Sequence, residues 1–161
     1  MTAAEYNLCV DNHADGVYRF IFKNIGDEEQ ARDVVQESFT RLWEKHKDVS
    51  NEKAKSYLFT TAYHTMIDAI RKAKRQTRLE SYHTNEMIVE SPSMDLKEVL
   101  NQAVEKLPEI QKSLIMLRDY EGYNYAEIGE ITGLNESQVK VYIYRARVFL
   151  KSYIGSLQNV I

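Results

Sequence analysis

Two prolines and six glycines are all the backbone punctuation in 161 residues. Tight reversals lean on these two residue types, so a chain this poor in both is badly equipped for the many turns of an antiparallel sheet. No segment alternates apolar and polar residues with period two. Apolar residues recur instead at steps of three and four, the spacing of one helix face. The expectation is an all-α protein, built as two small helical domains joined by a flexible linker.

The first unit reads as a bundle of three to four helices. One helix runs through "ADGVYRFIFKNIG" and ends near Gly26. Asp27, with Gln30 three residues later, is an N-cap signal for a second. Val35, Phe39 and Leu42 fall on one face of that helix, with Val34 and Trp43 alongside. Asp33, Glu37, Thr40 and Glu44 form a separate, acidic stripe. "KHKDVSNEK" reads as a loop. From about Lys53 a third helix turns Leu58, Ala62, Met66 and Ala69 inward and Thr60, His64, Asp68, Arg71, Arg75 and Arg78 outward.

Charge is distributed unevenly along the chain. Between Tyr63 and Glu80 five basic residues face two acids, whereas Ser81 to Lys112 carries six acids against three lysines. The stretch around Ser91-Pro92-Ser93 has no clean period and reads as an acidic linker. The boundaries expected are 1–79, a linker at 80–95, and a second unit of four helices at 96–161.

In the second unit Leu96, Leu100, Ala103 and Leu107 share a face, and Pro108 marks a new helix start. Asn124 with Glu127 looks like a capping box, Gly129 is small enough for a helix to cross closely, and Gly133-Leu134 makes a turn. Asn135 with Gln138 opens the last helix, whose Val139, Ile143, Ala146 and Leu150 point inward. Ser137, Lys140, Tyr144, Arg147 and Lys151 form an outward stripe, with Gln138, Tyr142 and Arg145 beside it. Two short helices about a glycine turn, the second polar and basic, form a helix-turn-helix. Its second helix would enter a DNA major groove, with Gln138 reading a base edge and Lys140, Arg145 and Arg147 holding phosphates. The plainer alternative is an amphipathic surface helix with solvated cations.

Net charge is −3, and a protein that grips DNA unaided is usually basic. Basic stripes on an acidic body imply that something else supplies most of the non-specific grip. No apolar run approaches the roughly 18 residues of a membrane span. The first residues lack the basic start and apolar centre of a secretory signal. Cys9 is the only cysteine, which rules out an internal disulfide and points to a reducing cytoplasm. His13, His46, His64 and His83 have no metal-ligand spacing with one another or with Cys9, and neither a phosphate-binding glycine loop nor a nucleophile elbow occurs. No cofactor, metal or enzymatic activity is expected.

Two segments resemble a known family. "VEKLPEIQKSLIMLRDYEGYNYAEIGEITGLNESQVKVYIYRARVFL" is similar to region four of bacterial RNA polymerase sigma factors. The features that carry it are Leu107-Pro108, Leu117-Arg118-Asp119, Glu121-Gly122, Ala126-Glu127-Ile128, Gly133-Leu134, Val139-Lys140 and Arg145-Ala146-Arg147. "EEQARDVVQESFTRLWE" is similar to region two, through Asp33, Val35-Gln36-Glu37, Phe39 and Leu42-Trp43. Both together, on so short a chain, resemble the extracytoplasmic-function (ECF) subfamily, over about residues 5 to 155.

The resemblance implies a factor that directs core RNA polymerase to promoters. It implies docking on the beta-prime clamp through Asp33, Gln36, Glu37, Thr40 and Trp43, and contact with the beta flap. By the residues alone the acids are a solvated face and Trp43 a core anchor. It implies minus-ten recognition by Asn51, Lys53, Lys55, Ser56, His64, Arg71, Lys72 and Arg75. Tyr57, Phe59 and Tyr63 are placed to stack on bases, although aromatic residues at these spacings more often build a core. It implies minus-thirty-five recognition by Ser137, Gln138, Lys140, Val141, Tyr142, Tyr144, Arg145 and Arg147. A membrane-anchored anti-sigma factor is a further partner it implies. His64 stands where the family commonly has Asn, Tyr63 where a basic residue is frequent, and Val141 and Tyr142 where Ser and Arg are common. The alternative function is a stand-alone helix-turn-helix regulator; a pure protein-interaction module is another.

Overall fold

The computed structural model describes residues 1–80 and 95–158, so the expected linker at 80–95 lies almost wholly outside the described residues. Seven α-helices and no strand occur among them: α1 (Ala3–Ile25), α2 (Glu28–Lys45), α3 (Ala54–Glu80), α4 (Leu96–Glu105), α5 (Glu109–Ile115), α6 (Tyr125–Thr132) and α7 (Glu136–Gln158).

α1 is longer than its apolar pattern predicts, because Thr2 and Glu5 close a capping box at its start. The Glu5 N–H donates to Thr2 Oγ1 at 3.1 Å and the Thr2 N–H to Glu5 Oε1 at 2.9 Å. This satisfies two amides that have no partner within the helix. At the far end Gly26 takes φ 76° and donates its N–H to Phe22 O at 2.7 Å. Asp27 follows at once as the cap of α2 and accepts the Gln30 N–H at 3.1 Å, as the sequence predicts.

α1, α2 and α3 pack round Val17, Phe20, Ile21, Ala31, Val34, Leu42, Leu58, Ala62 and Met66. The buried line of α2 differs from the expected one. Ala31, Val34, Ser38, Phe39 and Leu42 are buried, while Val35 is half-exposed at the edge of an apolar groove with Tyr6, Val10 and Tyr18. Two helices cover α2, so its covered arc is wider than a single stripe and takes in Ser38. That hydroxyl is satisfied by donating to Val34 O at 2.7 Å. Trp43 is no core anchor; it is 44% exposed.

In the second half Asp95 caps α4 by accepting the Glu98 N–H at 2.9 Å. Leu96, expected on the packed face, is 68% exposed at the first position of α4; burial is complete only at Ala103, Val104 and Leu107. Pro108 is the N-cap of α5 and lies just outside it. α5 runs into a wider turn, Met116–Tyr120, in which the Glu121 N–H reaches back five residues to Met116 O at 3.0 Å. Gly122, at φ 78°, then reverses the chain toward α6.

The two halves share one hydrophobic core. α3 lies along α6, where Phe59 meets the ring of Tyr123 edge-on at 5.3 Å and Phe20 at 5.9 Å. Asn24 of α1 accepts the Ser113 hydroxyl at 3.0 Å, and Lys74 pairs with Glu109 at 2.8 Å. Lys112, one of the three lysines counted between Ser81 and Lys112, is 7% exposed and pairs with Glu105 at 2.9 Å.

Candidate polymerase and nucleic-acid interfaces

The acidic stripe of α2 is a surface. Asp33, Gln36, Glu37, Thr40 and Glu44 are all exposed and line one shallow depression with Arg41. Glu37 is held by Arg41 one turn on at 2.7 Å, and the Thr40 hydroxyl donates to Gln36 O at 2.9 Å. Trp43 closes this face. Its indole stacks on the His46 ring at a centroid separation of 4.2 Å and takes the edge of Tyr6 at 4.9 Å. A large aromatic packed against two rings and half-exposed beside a row of acidic side chains suits a protein contact with a basic surface.

The turn before α3 and the exposed side of α3 form a second region. Asn51 and Lys53 sit in a 3₁₀ turn, Asn51–Lys53, and are exposed. Lys55 and Ser56 are half-buried, because α6 lies across this end of α3; Lys55 Nζ rests 4.9 Å from the Tyr123 ring centre. Lys53 and Ser56 share a small groove with Glu130 of α6. Further along, His64, Arg71, Lys72 and Arg75 are exposed on α3, and Arg71, Lys74 and Arg75 gather around Asp68. The aromatic residues behave as a core. Phe59 is 1% exposed and Tyr63 6%, so neither presents a free ring for stacking. Burial also raises the Tyr63 phenol pKa above its ordinary value. Tyr57 is partly covered.

The helix-turn-helix forms as its caps predict. Asn124 and Glu127 exchange hydrogen bonds at 2.8 and 3.1 Å, and Asn135 and Gln138 do the same at 2.8 and 3.0 Å. Gly133 ends α6 at φ 81° with its N–H on Gly129 O at 2.9 Å. Gly129 is small for a different reason from the one expected. A Cβ there would lie 2.8 Å from the carbonyl oxygen of Leu134, so it makes room for the turn's own backbone, not for a crossing helix.

On α7, Val139, Ile143 and Ala146 are buried and Leu150 partly so. Ser137, Gln138, Lys140, Val141, Tyr144 and Arg145 are exposed, and Tyr142 is half-buried. Three side chains are less free than the pattern implied. The Gln138 carbonyl oxygen accepts the Asn135 N–H, Lys140 pairs loosely with Glu136 at 3.5 Å, and Arg147 donates to Asp119 at 2.9 Å. That bond, with the carboxylate's charge, raises the Arg147 pKa above its usual value.

Two family models match the chain: Sigma-70 region 2 over residues 9–76 and Sigma-70, region 4 over residues 97–150. Sigma factor SigV of Bacillus subtilis is 34% identical over 147 residues, covering 90% of this chain and 88% of that protein. The chain belongs to the RNA polymerase sigma factors. The ECF sigma factor SigM of Bacillus subtilis is 29% identical across 87% of this sigma factor and 89% of its own length. Two solved structures share the fold at 20% identity. RpoE from Bartonella quintana, in complex with the anti-sigma factor NepR, gives a TM-score of 0.74 over 91% of this chain and 94% of that one. CnrH, in complex with the cytosolic domain of CnrY, gives 0.68 over 94% and 88%. The resemblance to the ECF subfamily is thereby established.

Other features of this sigma factor escaped the sequence reading. The wide turn at Met116–Tyr120 is a hub: Arg118 donates to Tyr123 O at 3.0 Å, Asp119 holds Arg147, and the Tyr120 ring lies 4.1 Å from Lys23 Nζ. The residue after it, Glu121, is held by Arg19. Its intervals of five carry no sequence signature. Cys9 is buried, which raises its thiol pKa and keeps it protonated. Burial, helped by the Lys55 charge, lowers the His13 pKa. Among the described residues no group of His, Cys, Asp and Glu is placed to hold a metal ion, and no helix is long and apolar enough to cross a membrane. His83 lies outside those residues.

Proposed function

We propose that this sigma factor brings core RNA polymerase to promoters, with three faces of one chain dividing the work. Asp33, Gln36, Glu37, Thr40 and Trp43 dock on the beta-prime clamp, and the second half meets the beta flap. Asn51, Lys53, Lys55, Ser56, His64, Arg71, Lys72 and Arg75 serve the minus-ten element, where strand opening exposes a base and nearby cations offset the cost of unstacking it. Ser137, Gln138, Lys140, Val141, Tyr142, Tyr144, Arg145 and Arg147 form the minus-thirty-five surface, read as duplex. The domains are 1–79 and 96–161. The protein is a binding factor, and the chemistry of transcription is the polymerase's own; the factor acts in the cytoplasm beside it.

The observation that carries this reading is the pairing of opposites on a sigma-family chain. An acidic, tryptophan-edged face on α2 asks for a basic protein, and a polar, cationic α7 asks for a polyanion. Neither DNA face is extensive enough to grip alone, and tethering both to one polymerase raises their effective concentration. Relatives solved with NepR and CnrY support an anti-sigma factor as a further partner.

The test is reconstituted transcription by core polymerase on a promoter library, with and without this chain. Promoter-specific transcripts that appear only with the chain support the proposal. Tight specific duplex binding by the chain alone, with no effect on polymerase, would instead support a stand-alone regulator.

A further inference from the structure

The buried line of α7 through Val139, Ile143 and Ala146 fixes which side of the helix is outermost. At 100° per residue the opposite side begins with Ser137 and Val141 and continues through Tyr144, Arg145 and Val148. Two valines, Val141 and Val148, thus lie on the outward side of a polar helix. Val141 is 46% exposed, Tyr144 70% and Val148 50%. Val141 lies one turn from Ser137 and Gln138, so the three form one patch at the leading end of the helix.

Gln138 restricts what that patch can read. Its carbonyl oxygen accepts the Asn135 N–H at 3.0 Å while its own N–H donates to Asn135 Oδ1 at 2.8 Å. The side chain is pinned with one of its oxygen's two acceptor sites taken, and the amide nitrogen is left with both its donors free of the cap. The two-point pairing of glutamine with adenine needs the oxygen and nitrogen turned together to one base edge, and the oxygen's hold on Asn135 disfavours that. A donor beside an apolar contact matches one base edge in the major groove. Thymine presents the O4 acceptor next to a methyl group; guanine and adenine have acceptors and no methyl, and cytosine presents an amino group. Lys140 and Arg145 flank the patch, exposed, with Arg145 in no ion pair among the described residues.

Resting on the promoter-binding reading above, we propose that the leading end of α7 recognises thymine in duplex DNA. Val141 packs on the 5-methyl group, and the Gln138 amide nitrogen donates to O4. The apolar patch is thus a base-reading surface, covered by DNA and not by a protein partner.

The test uses the full chain with core polymerase on a promoter selected from a random library. Each thymine of the minus-thirty-five element is replaced in turn by deoxyuridine, which deletes only the methyl group. At one position the wild-type complex weakens by about fourfold, the value of one buried methyl group. Val141→Ala weakens binding to the thymine duplex to a similar degree and abolishes the sensitivity to deoxyuridine at that position. Gln138→Glu keeps an acceptor for the Asn135 N–H but loses the donor, and its selected base shifts away from thymine at the same site. If every deoxyuridine duplex binds like its parent while promoter selection is intact, the proposal is overturned and the function stands. If Val141→Ala lowers activity yet keeps the deoxyuridine sensitivity, Val141 serves another partner and the proposal is overturned. If no duplex is selected with polymerase present, the promoter-binding reading falls, and this inference falls with it.

Discussion

Arg19 of α1 clasps the carboxylate of Glu121, 102 residues further along, through its Nε and Nη2 at 3.1–3.2 Å. The carboxylate is 7% exposed and the guanidinium 48%, so the pair closes the edge of the seam between the two halves. Such a forked bond fixes orientation as well as distance.

Removing the arginine leaves a buried carboxylate without its partner, but solvent reaches the arginine side and screens the loss. Arg19→Ala should destabilise the chain by about 1 kcal/mol, or roughly 2–4 °C in Tm for a chain of this size. A double-mutant cycle with Glu121→Gln should show the two effects to be coupled, and amide exchange should quicken in α6 before α2. Equal acceleration in both helices would mean that the pair does not hold the seam.

Tyr123 lies at the same seam, 3% exposed, with its hydroxyl hydrogen-bonded to nothing among the described residues. Replacing a buried, unpartnered hydroxyl with hydrogen relieves a desolvation penalty, so Tyr123→Phe should stabilise by about 1 kcal/mol. Burial, with Glu121 and Glu127 nearby, raises the phenol pKa far above its ordinary value of 10.0. In the unfolded chain the phenol ionises near pH 10; in the folded chain it stays protonated. Stability contributed by the protonated form is therefore complete below pH 10 and declines as the pH rises beyond it. Tyr123→Phe should flatten that alkaline decline in urea titrations.

Gly129 and Gly155 make a contrasting pair within helices. A Cβ at Gly129 meets Leu134 O at 2.8 Å, whereas one at Gly155 meets nothing within 4 Å. Gly129→Ala should cost about 1–3 kcal/mol through overpacking and reduce promoter binding by shifting the turn before α7. Gly155→Ala should stabilise by up to about 1 kcal/mol. Thermal unfolding of both variants checks the pair, and a tolerated Gly129→Ala would refute the close approach.

Asp33 and Glu37 are exposed, and among the described residues only Glu37 of the two has an ion-pair partner, its neighbour Arg41. Changing both to Lys should move stability by no more than about 0.5 kcal/mol. The same change reverses the charge of the proposed docking face, and affinity for core polymerase should drop about tenfold or more, with a weaker salt dependence. Titration of labelled polymerase with each variant measures this; unchanged affinity would move the docking site elsewhere.

Local signals carried the fold. Asp27 with Gln30, Asn124 with Glu127 and Asn135 with Gln138 were legible because each cap is completed within one helical turn. Thr2 with Glu5 has the same spacing and was there to be read. The inward line of α7 was legible too, since one face of one helix has a single period. On α2 the covered side runs through Ala31, Val34, Ser38 and Leu42 and leaves Val35 and Trp43 at its margin, because where α1 and α3 pack, and not periodicity alone, sets which side is covered. The engaged state of Gln138 and Arg147, the burial of Lys112 and the Arg19–Glu121 clasp depend on residues meeting in space. Sequence spacing holds no record of those meetings.

The make-up of the seam also sets how the chain responds to its surroundings. Beside the shared apolar core, the Asn24–Ser113 hydrogen bond and the part-exposed Arg19–Glu121 and Lys74–Glu109 ion pairs join the halves, a contact that mixes apolar and polar groups as contacts between domains do. Any molecule that binds the separated form better than the closed one must first overcome that contact. Its apparent affinity then shifts tenfold for every ~1.4 kcal/mol by which the contact is strengthened or weakened. A residue at the seam thus acts as a gain control, setting the concentration at which a distant partner takes hold without ever touching it.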